Sequence, residues 1–268
     1  MVNHISFPGL GLSFDVSRSL FSVFGLPVYS YGLIIGFGVV LAFIYATRET
    51  KRKGISQDDF LNMFLIAVPV AIICARLYYV AFNWDYYSVN PVEILNIRGG
   101  GLAIYGGVLG AFAVVLIYCR KKKICIGTAF DILALSFLIG QSIGRWGNFV
   151  NGEAFGSYTS MPWAMTIECD GVLIANSVHP TFLYESLFNT LGFIVLCVYK
   201  KRQVFEGELA CCYMIWYGTG RMLIEGLRAD SLYLGPFRVS QLLSAMLVLV
   251  GIVLIIKNYK KHLTNRAE

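Results

Sequence analysis

Residues 60–82 read FLNMFLIAVPVAIICARLYYVAF, a run of 23 residues in which Arg76 is the one charged side chain. About 20 mostly apolar residues are enough to cross the hydrocarbon core of a bilayer as a helix. A helix satisfies its own backbone hydrogen bonds, so it is the form in which a single segment can cross a membrane. The stretch therefore predicts a transmembrane helix.

The composition of the whole chain points to the same class. Hydrophobic residues make up 57% of its 268 residues and charged residues only 14%, against about 25% charged in soluble domains. This excludes soluble, disordered and small disulfide-rich classes. The seven cysteines have neither C-x-x-C nor His-coupled spacing, so we expect no disulfide framework, no metal and no cofactor.

Seven apolar segments predict an all-α polytopic membrane protein with seven transmembrane helices. They cover about 26–46, 60–82, 101–118, 127–143, 182–199, 208–224 and 239–256. The first twenty residues are apolar but short, and they suggest an interfacial segment rather than an eighth crossing. We expect residues 1–268 to form one integral membrane domain.

Clusters of basic residues orient these helices. Fifteen of the 22 basic residues follow helices one, three, five and seven: Arg48, Lys51, Arg52, Lys53, Arg120, Lys121, Lys122, Lys123, Lys200, Lys201, Arg202, Lys257, Lys260, Lys261 and Arg266. With seven crossings all of them fall on one face, which the positive-inside rule makes cytoplasmic. The N-terminus is then outside, the C-terminus is cytoplasmic, and the long loop at about 144–181 forms a small external domain between helices four and five. The net charge of +6 thus belongs to cytoplasmic loops, and we expect no nucleic-acid partner.

The other seven basic residues are all arginines, expected in or outside the membrane: Arg18, Arg76, Arg98, Arg145, Arg221, Arg228 and Arg238. The planar fork of arginine binds carboxylate or phosphate through two parallel hydrogen bonds. Two interpretations stay open. The arginines form salt bridges with nearby acids such as Glu153, Glu185 and Glu225, or some of them hold an anionic lipid headgroup.

Three polar motifs stand at the outer ends of the predicted helices. Helix four ends in GRWGNFVNGEAFG (144–156), where glycines permit irregular backbone and polar groups are costly at a membrane boundary. The loop contains a possible short strand at 163–168 and closes with HPTFLYE (179–185). Helix six ends in YGTGRMLIEGLR (217–228), whose polar residues share one face by their spacing: Tyr217, Arg221, Glu225 and Arg228. His179 is either catalytic or a structural residue.

These motifs resemble the prolipoprotein diacylglyceryl transferase family over nearly the whole chain. The resemblance implies a transferase in the bacterial cytoplasmic membrane, with its active site toward the outer leaflet. It would move the diacylglyceryl group of phosphatidylglycerol to the lipobox cysteine thiol of prolipoprotein signal peptides and release glycerol phosphate. Its partners are therefore phosphatidylglycerol, prolipoprotein signal peptides and membrane lipids.

The resemblance also carries site residues. The essential arginines of the family fall on Arg145 and Arg221, and we take Tyr105 and His179 as further catalytic candidates. The residues expected to bind substrate, besides Arg145, are Asn148, Asn151, Glu153, Tyr31, Tyr217 and Glu225. Some members have histidine where this chain has Tyr105, which replaces an imidazole by a phenol, a poorer base at neutral pH. The proton acceptor for the thiol is therefore left open between Tyr105, His179, a carboxylate and water.

A transporter, channel or scramblase is the main competing class. Such proteins place ionisable groups or broken helices near the bilayer midplane, often in inverted repeats. Here the charged groups gather toward the outer helix ends, with Asp131 as the main exception, and no repeat is visible. A transferase fits this distribution better.

Overall fold

Each apolar segment of the sequence belongs to a long helix in the computed structural model of the protein, which describes residues 2–23, 26–97, 100–229 and 231–267. The helices are α1 (Ser30–Arg52), α2 (Gln57–Phe82), α3 (Trp84–Val89), α4 (Ile104–Lys122), α5 (Ile126–Asn151), α6 (Thr181–Tyr199), α7 (Glu208–Glu225) and α8 (Val239–Ala267). Among the described α-helices, the short α3 alone lies outside the seven predicted segments. Arg98 lies outside the described residues.

Six of these helices are long and apolar enough to cross a membrane when the described residues are searched. They are α1, α2, α4, α5, α6 and α8. The remaining long helix, α7, includes Glu208, Arg221 and Glu225 among its 18 residues, and these charges lower its hydropathy. The protein is thus a mostly helical, polytopic membrane protein.

The prediction of an all-α fold is wrong for the N-terminus and for the chain after α5. The strands are β1 (Val2–Phe7), β2 (Leu12–Ser17), β3 (Ser19–Val23), β4 (Leu26–Tyr29), β5 (Met165–Cys169), β6 (Val172–Val178), β7 (Tyr233–Leu234) and β8 (Phe237–Arg238). Four of them form an antiparallel sheet in the order β2-β1-β5-β6. The short strand expected at 163–168 corresponds to β5. The first helix begins at Ser30 and not at the predicted residue 26, because β4 occupies the first four predicted positions.

The chain folds as two compact units, one formed by 47–130 and the other by 1–46 with 131–268. In the unit 47–130, α2 and α4 pack closely because glycines of α4 face α2. A Cβ added at Gly106 would lie 2.4 Å from the carbonyl oxygen of Cys74, and one at Gly110 would lie 2.8 Å from its Sγ. This is the close backbone approach that a G-x-x-x-G spacing permits.

Arg76 fastens the loop before α4 to α2 in the same unit. Its side chain is buried and donates to four backbone carbonyls: those of Glu93 at 2.5 Å, Ile94 at 2.9 Å, Gly100 at 2.9 Å and Gly101 at 3.0 Å. These oxygens are neutral. Neither a salt bridge nor a bound headgroup is therefore needed to explain this arginine.

In the unit 1–46 with 131–268, the four-stranded sheet packs on the ends of α5 and α6. One face of the sheet is apolar: Ile5, Phe7 and Ile167 are buried in a cluster with Phe182 of α6, and Phe149 of α5 packs against it. Since alternate residues of a strand point to opposite faces, the other face carries the polar side chains. The sheet therefore covers the helix ends at which the polar motifs lie.

Asp131 is at the opposite end of α5 and has a structural explanation. Its carboxylate accepts hydrogen bonds from the backbone N–H groups of Gly207 at 2.8 Å and Ala210 at 2.9 Å, and from the side-chain amide of Gln203 at 2.5 Å. The first N–H groups of a helix have no partner within it. Asp131 supplies that partner for α7.

Glu208 joins three helices near the same end. Its Oε1 accepts hydrogen bonds from the hydroxyls of Tyr199 at 2.5 Å and Tyr259 at 2.7 Å, which belong to α6 and α8. Its Oε2 accepts from the backbone N–H of Val204 at 2.6 Å. This buried carboxylate is therefore satisfied by hydrogen bonds alone.

Candidate active site

The polar motif 144–156 begins as regular helix. Gly144 and Gly147 lie inside α5, which continues to Asn151, so the irregular backbone expected from these glycines starts later than predicted. It starts at Gly152, which has φ +64°, and continues at Ala154, with φ 55°. A positive φ is readily adopted by glycine and uncommon for other residues. The turn at Gly152 sends the chain off the end of α5.

The three polar motifs meet at Gly156. Its backbone N–H donates to the carbonyl of His179 at 2.9 Å, and the next N–H, of Ser157, donates to the carbonyl of Leu227 at 2.6 Å. A Cβ at Gly156 would lie 2.6 Å from the Cβ of His179 and 2.9 Å from the Leu227 oxygen. Only glycine leaves room for this crossing. It brings together the end of α5, the start of α6 and the end of α7.

Glu185 is the centre of an ion-pair cluster at this crossing. Its Oε2 lies 2.6 Å from Nη2 of Arg145, and its Oε1 lies 2.8 Å from Nη1 of Arg221 and 3.5 Å from Nη1 of Arg228. All four side chains are largely buried, with Glu185 itself 4% exposed. We refer to these four residues together with Glu225 as the arginine cluster.

Glu225 completes the arginine cluster. Its Oε2 lies 2.6 Å from Nη2 of Arg221, one helical turn earlier, and its backbone carbonyl accepts a hydrogen bond from Arg238. The shared face predicted for α7 is therefore present. The salt-bridge interpretation is confirmed for Arg145, Arg221 and Arg228.

The amide side chains of α5 extend this network away from the cluster. Nη1 of Arg145 donates to Oδ1 of Asn148 at 3.2 Å, and Nδ2 of Asn148 donates to Oε1 of Glu153 at 2.9 Å. Asn151 donates to the same Glu153 oxygen at 3.3 Å. A continuous chain of polar contacts therefore joins Glu153 to Arg145.

A groove of about 530 Å³ opens beside Glu153. Its lining consists of Arg18, Tyr29, Tyr31, Gly32, Asn151, Gly152 and Glu153. Nη2 of Arg18 donates to the Asn151 carbonyl at 3.0 Å. A second, much smaller cavity lies at the cluster between α6 and α7, and Glu185, Tyr217 and Arg221 contribute to its wall. Tyr31 and Tyr217, both predicted from the resemblance, thus line cavities.

Two predicted catalytic residues are not part of these contacts. Nδ1 of His179 lies 3.1 Å from the hydroxyl of Tyr184, which accepts a hydrogen bond from Trp163 at 2.6 Å. Tyr105 lies in the unit 47–130, in the first turn of α4, and is 41% exposed. The contact of His179 with Tyr184 is compatible with either of its two predicted roles.

The sequence indicates Glu185 only as one of several ion-pair partners and does not predict its central place. It closes the HPTFLYE motif, so the motif itself contained the signal. What the motif could not show is that arginines from two other helices converge on this residue. For the same reason the sequence does not predict Arg228 as a cluster member, although its spacing from Arg221 predicts a shared helical face.

Comparison with known proteins agrees with these motifs. Residues 18–257 match the family model described as prolipoprotein diacylglyceryl transferase. The chain is 47% identical over 254 residues to the phosphatidylglycerol–prolipoprotein diacylglyceryl transferase of Finegoldia magna, covering 94% of this chain and 100% of that protein. It is 45% identical over 253 residues to the protein of that name in Clostridioides difficile, with the same coverage. For that of Bacillus cytotoxicus the identity is 47% over 240 residues, covering 87% and 89%.

We expect Gly147→Ala to disturb the groove by displacing Tyr31. A Cβ at Gly147 would lie 2.7 Å from Cδ2 of the Tyr31 ring, whereas a Cβ at Gly140, two turns earlier in α5, would meet nothing within 4 Å. Overpacking costs about 1–3 kcal/mol of stability, so Gly147→Ala should unfold at a lower temperature, and displacement of Tyr31 from the groove wall should lower its turnover. Turnover and thermal unfolding should be measured in detergent for both variants, with Gly140→Ala as the control. Equal turnover in the two would show that this contact is unimportant.

Proposed function

Since this chain belongs to the prolipoprotein diacylglyceryl transferase family, we propose that its arginine cluster and the adjoining groove form the active site of that transferase. The activity is the transfer of the sn-1,2-diacylglyceryl group of phosphatidylglycerol to a prolipoprotein cysteine, which forms a thioether and releases glycerol phosphate. This is the first step of bacterial lipoprotein maturation. The observation that carries the proposal is the convergence of Arg145 and Arg221, from different helices, on one anionic position.

The chemistry needs such a convergence. The sulfur of the substrate's lipobox cysteine bonds to a glyceryl carbon as the carbon–oxygen bond to phosphate breaks, and the thiol proton passes to Tyr105, His179, a carboxylate or water. A phosphate monoester leaves, so negative charge grows on the phosphate in the transition state. Preorganised donors aimed at developing charge are among the largest catalytic effects. Each guanidinium has five N–H donors. The contacts described above take two nitrogens on Arg145, one in an ion pair and one in a hydrogen bond to Asn148, and two on Arg221, both in ion pairs. The other donors would bind the lipid phosphate.

The groove supports the binding of the rest of the headgroup. Asn148, Asn151 and Glu153 supply amide donors and a carboxylate acceptor, and Tyr31 supplies a hydroxyl at the groove wall. These groups suit the hydroxyls of a glycerol moiety. Tyr217 lines the small cavity beside Arg221, and Glu225 holds the second nitrogen of that arginine. We propose that these six side chains bind substrate.

We further propose that α7 is a seventh crossing. Its charged side chains are paired inside the protein: Glu208 with Tyr199 and Tyr259, and Glu225 with Arg221. Intramembrane ionisable groups that face protein and pair with one another are tolerated. Seven crossings place the four basic clusters in the cytoplasm and the arginine cluster at the outer leaflet of the bacterial cytoplasmic membrane. Residues 1–268 would then work as one transferase domain.

The sheet supports this placement. Leu12 and Phe14 of β2 lie in register with the buried Phe7 and Ile5 of β1, on the same face, yet they are 48% and 45% exposed. The opposite face carries polar side chains such as His4. An exposed apolar row beside transmembrane helix ends is typical of a membrane contact. We therefore propose that β2 rests in the interfacial region of the outer leaflet.

The topology can be tested by labelling single cysteines in a cysteine-free variant. We expect Ser157→Cys, which is exposed in the loop after α5, to react with a membrane-impermeant maleimide added outside intact cells. Lys201→Cys, exposed after α6, is the matched control and should react only after the cells are opened. Reaction of Ser157→Cys only in opened cells would contradict both the topology and the location of the active site.

Replacing either proposed phosphate-binding arginine by lysine tests the cluster. Arg145→Lys and Arg221→Lys keep the charge but lose the fork that binds two oxygens. Loss of one preorganised donor to a developing anion costs about 3–4 kcal/mol, so turnover should fall roughly a hundredfold or more. Release of glycerol phosphate from phosphatidylglycerol and a lipobox peptide measures it. Folded lysine variants with near-normal turnover would mean that these arginines are only structural.

For Tyr105 we propose a role in orienting lipid or thiol by hydrogen bonding. We expect Tyr105→Phe to keep measurable turnover, because one hydrogen bond contributes about 0.5–1.5 kcal/mol. Turnover of Tyr105→Phe and Tyr105→His should be followed between about pH 6 and 9, where imidazole changes its charge. An inactive Phe variant, together with an active His variant whose rate follows imidazole ionisation, would instead identify position 105 as the proton acceptor.

A further inference from the structure

One carboxylate in the arginine cluster has no assigned part in the transfer, although it has more charged contacts than any other acid described in the cluster. We propose that Glu185 is a positioning residue: its carboxylate sets the orientation of Arg145 and Arg221 toward the lipid phosphate and balances their charge. The inference rests on the proposed function of the arginine cluster.

The contacts of Glu185 divide between its two oxygens. Oε2 binds Nη2 of Arg145 at 2.6 Å, and Oε1 binds Nη1 of Arg221 at 2.8 Å. Arg145 belongs to α5, Glu185 to α6 and Arg221 to α7. Because the two oxygens belong to one rigid group, the carboxylate fixes the separation of two guanidinium groups that no backbone connection fixes.

Each guanidinium is held at a second nitrogen as well. Nη1 of Arg145 donates to Asn148 at 3.2 Å, and Nη2 of Arg221 lies 2.6 Å from Glu225. A planar group that is bound at two of its nitrogens cannot rotate in its plane. Glu185 contacts both guanidinium groups, so its loss would allow both Arg145 and Arg221 to rotate.

The charges of the cluster suit one phosphodiester. Three arginines (Arg145, Arg221 and Arg228) and two carboxylates (Glu185 and Glu225) leave a net charge of one positive unit, which matches the single negative charge of phosphatidylglycerol. The leaving glycerol phosphate carries close to two negative charges at neutral pH. Without Glu185 the cluster would carry one more positive charge and would hold that product more tightly. Glu185 thus assists both orientation and product release.

Burial makes these effects large. Glu185 is 4% exposed and the three arginine side chains are 12–23% exposed. Charges removed from water interact more strongly than surface charges, and removal of one partner of a buried ion pair leaves the other uncompensated. A neutral amide at position 185 would keep the shape of the side chain but remove its charge.

The experiment compares Glu185→Gln, Glu185→Asp and Glu208→Gln in the full chain. Glu208 is an equally buried glutamate of the same unit, bound to two tyrosine hydroxyls far along α7 from the arginine cluster, so Glu208→Gln controls for general loss of stability. The measurements are kcat and KM for phosphatidylglycerol, the inhibition constant for glycerol phosphate, and thermal unfolding in detergent. All rates are expressed per folded enzyme.

We expect kcat of Glu185→Gln to fall by about tenfold or more, as for other losses of transition-state preorganisation, while glycerol phosphate inhibits several-fold more strongly. Glu185→Asp keeps the charge on a shorter side chain. Its inhibition constant for glycerol phosphate should be close to that of wild type, and its kcat should lie between those of Glu185→Gln and wild type. Glu208→Gln should unfold at lower temperature with kcat within about twofold of wild type. This split between kcat and product affinity is not expected from a structural role.

Two results would overturn the inference. The first is a normal kcat and normal product inhibition in Glu185→Gln. The second is a loss of kcat in Glu185→Gln without tighter product binding, in proportion to its loss of stability. If Glu185→Gln does not fold, a normal kcat in Glu185→Asp would count equally against the inference, because the shorter side chain cannot reach both arginines. If Arg145→Lys and Arg221→Lys are impaired while Glu185→Gln is normal, only the positioning role of Glu185 is refuted. If both lysine variants are active, the proposed function of the arginine cluster itself is refuted.

Discussion

The ion pairs around Glu185 are the interaction on which the arrangement of this end of the molecule depends. Charged side chains among apolar helices are costly unless they are paired, and a buried pair is stable only when its geometry and further hydrogen bonds are good. Glu185 meets both conditions by taking arginines from α5 and α7 on its two oxygens. The three helix ends can therefore approach one another only in an arrangement that keeps these contacts.

The backbone makes that approach possible. Gly152 turns the chain off α5, and Gly156 lets the loop pass between His179 and Leu227 with hydrogen bonds to both. The apolar face of the sheet covers the same helix ends with Ile5 and Ile167. The glycines permit the loop to pass between the helix ends, and the sheet buries one side of these ends. The ion pairs of Glu185 define the distances between the helices.

Structural and catalytic roles of the arginines are compatible. An arginine has more donors than one carboxylate can accept, so a salt bridge can orient the fork while other donors bind phosphate. Arg76 shows a different use of the same group, since its hydrogen bonds in the described part of the chain go to backbone carbonyls of its own unit. The arginines outside the four basic clusters thus have more than one physical role.

The sequence by itself was enough for the long helices and for the family. A run such as residues 60–82 is apolar over its whole length, and this local property predicts a membrane helix without knowledge of its neighbours. The motif residues Arg145, Asn148, Asn151 and Glu153 also lie within a few positions of one another, so their common location at the end of α5 followed directly. The family resemblance, carried by the same motifs, is confirmed by the comparisons.

The tertiary structure decided what depends on distant parts of the chain. β1 pairs with β5 across about 160 residues, and a strand of six residues carries too few alternating positions to predict its partner. Glu185 and Arg221 are 36 residues apart and on different helices, so the sequence could name both without showing that one carboxylate joins them to Arg145. Helix propensity and hydropathy are local properties, whereas strand pairing and the sharing of a buried charge are set by contacts between segments that only the folded chain brings together.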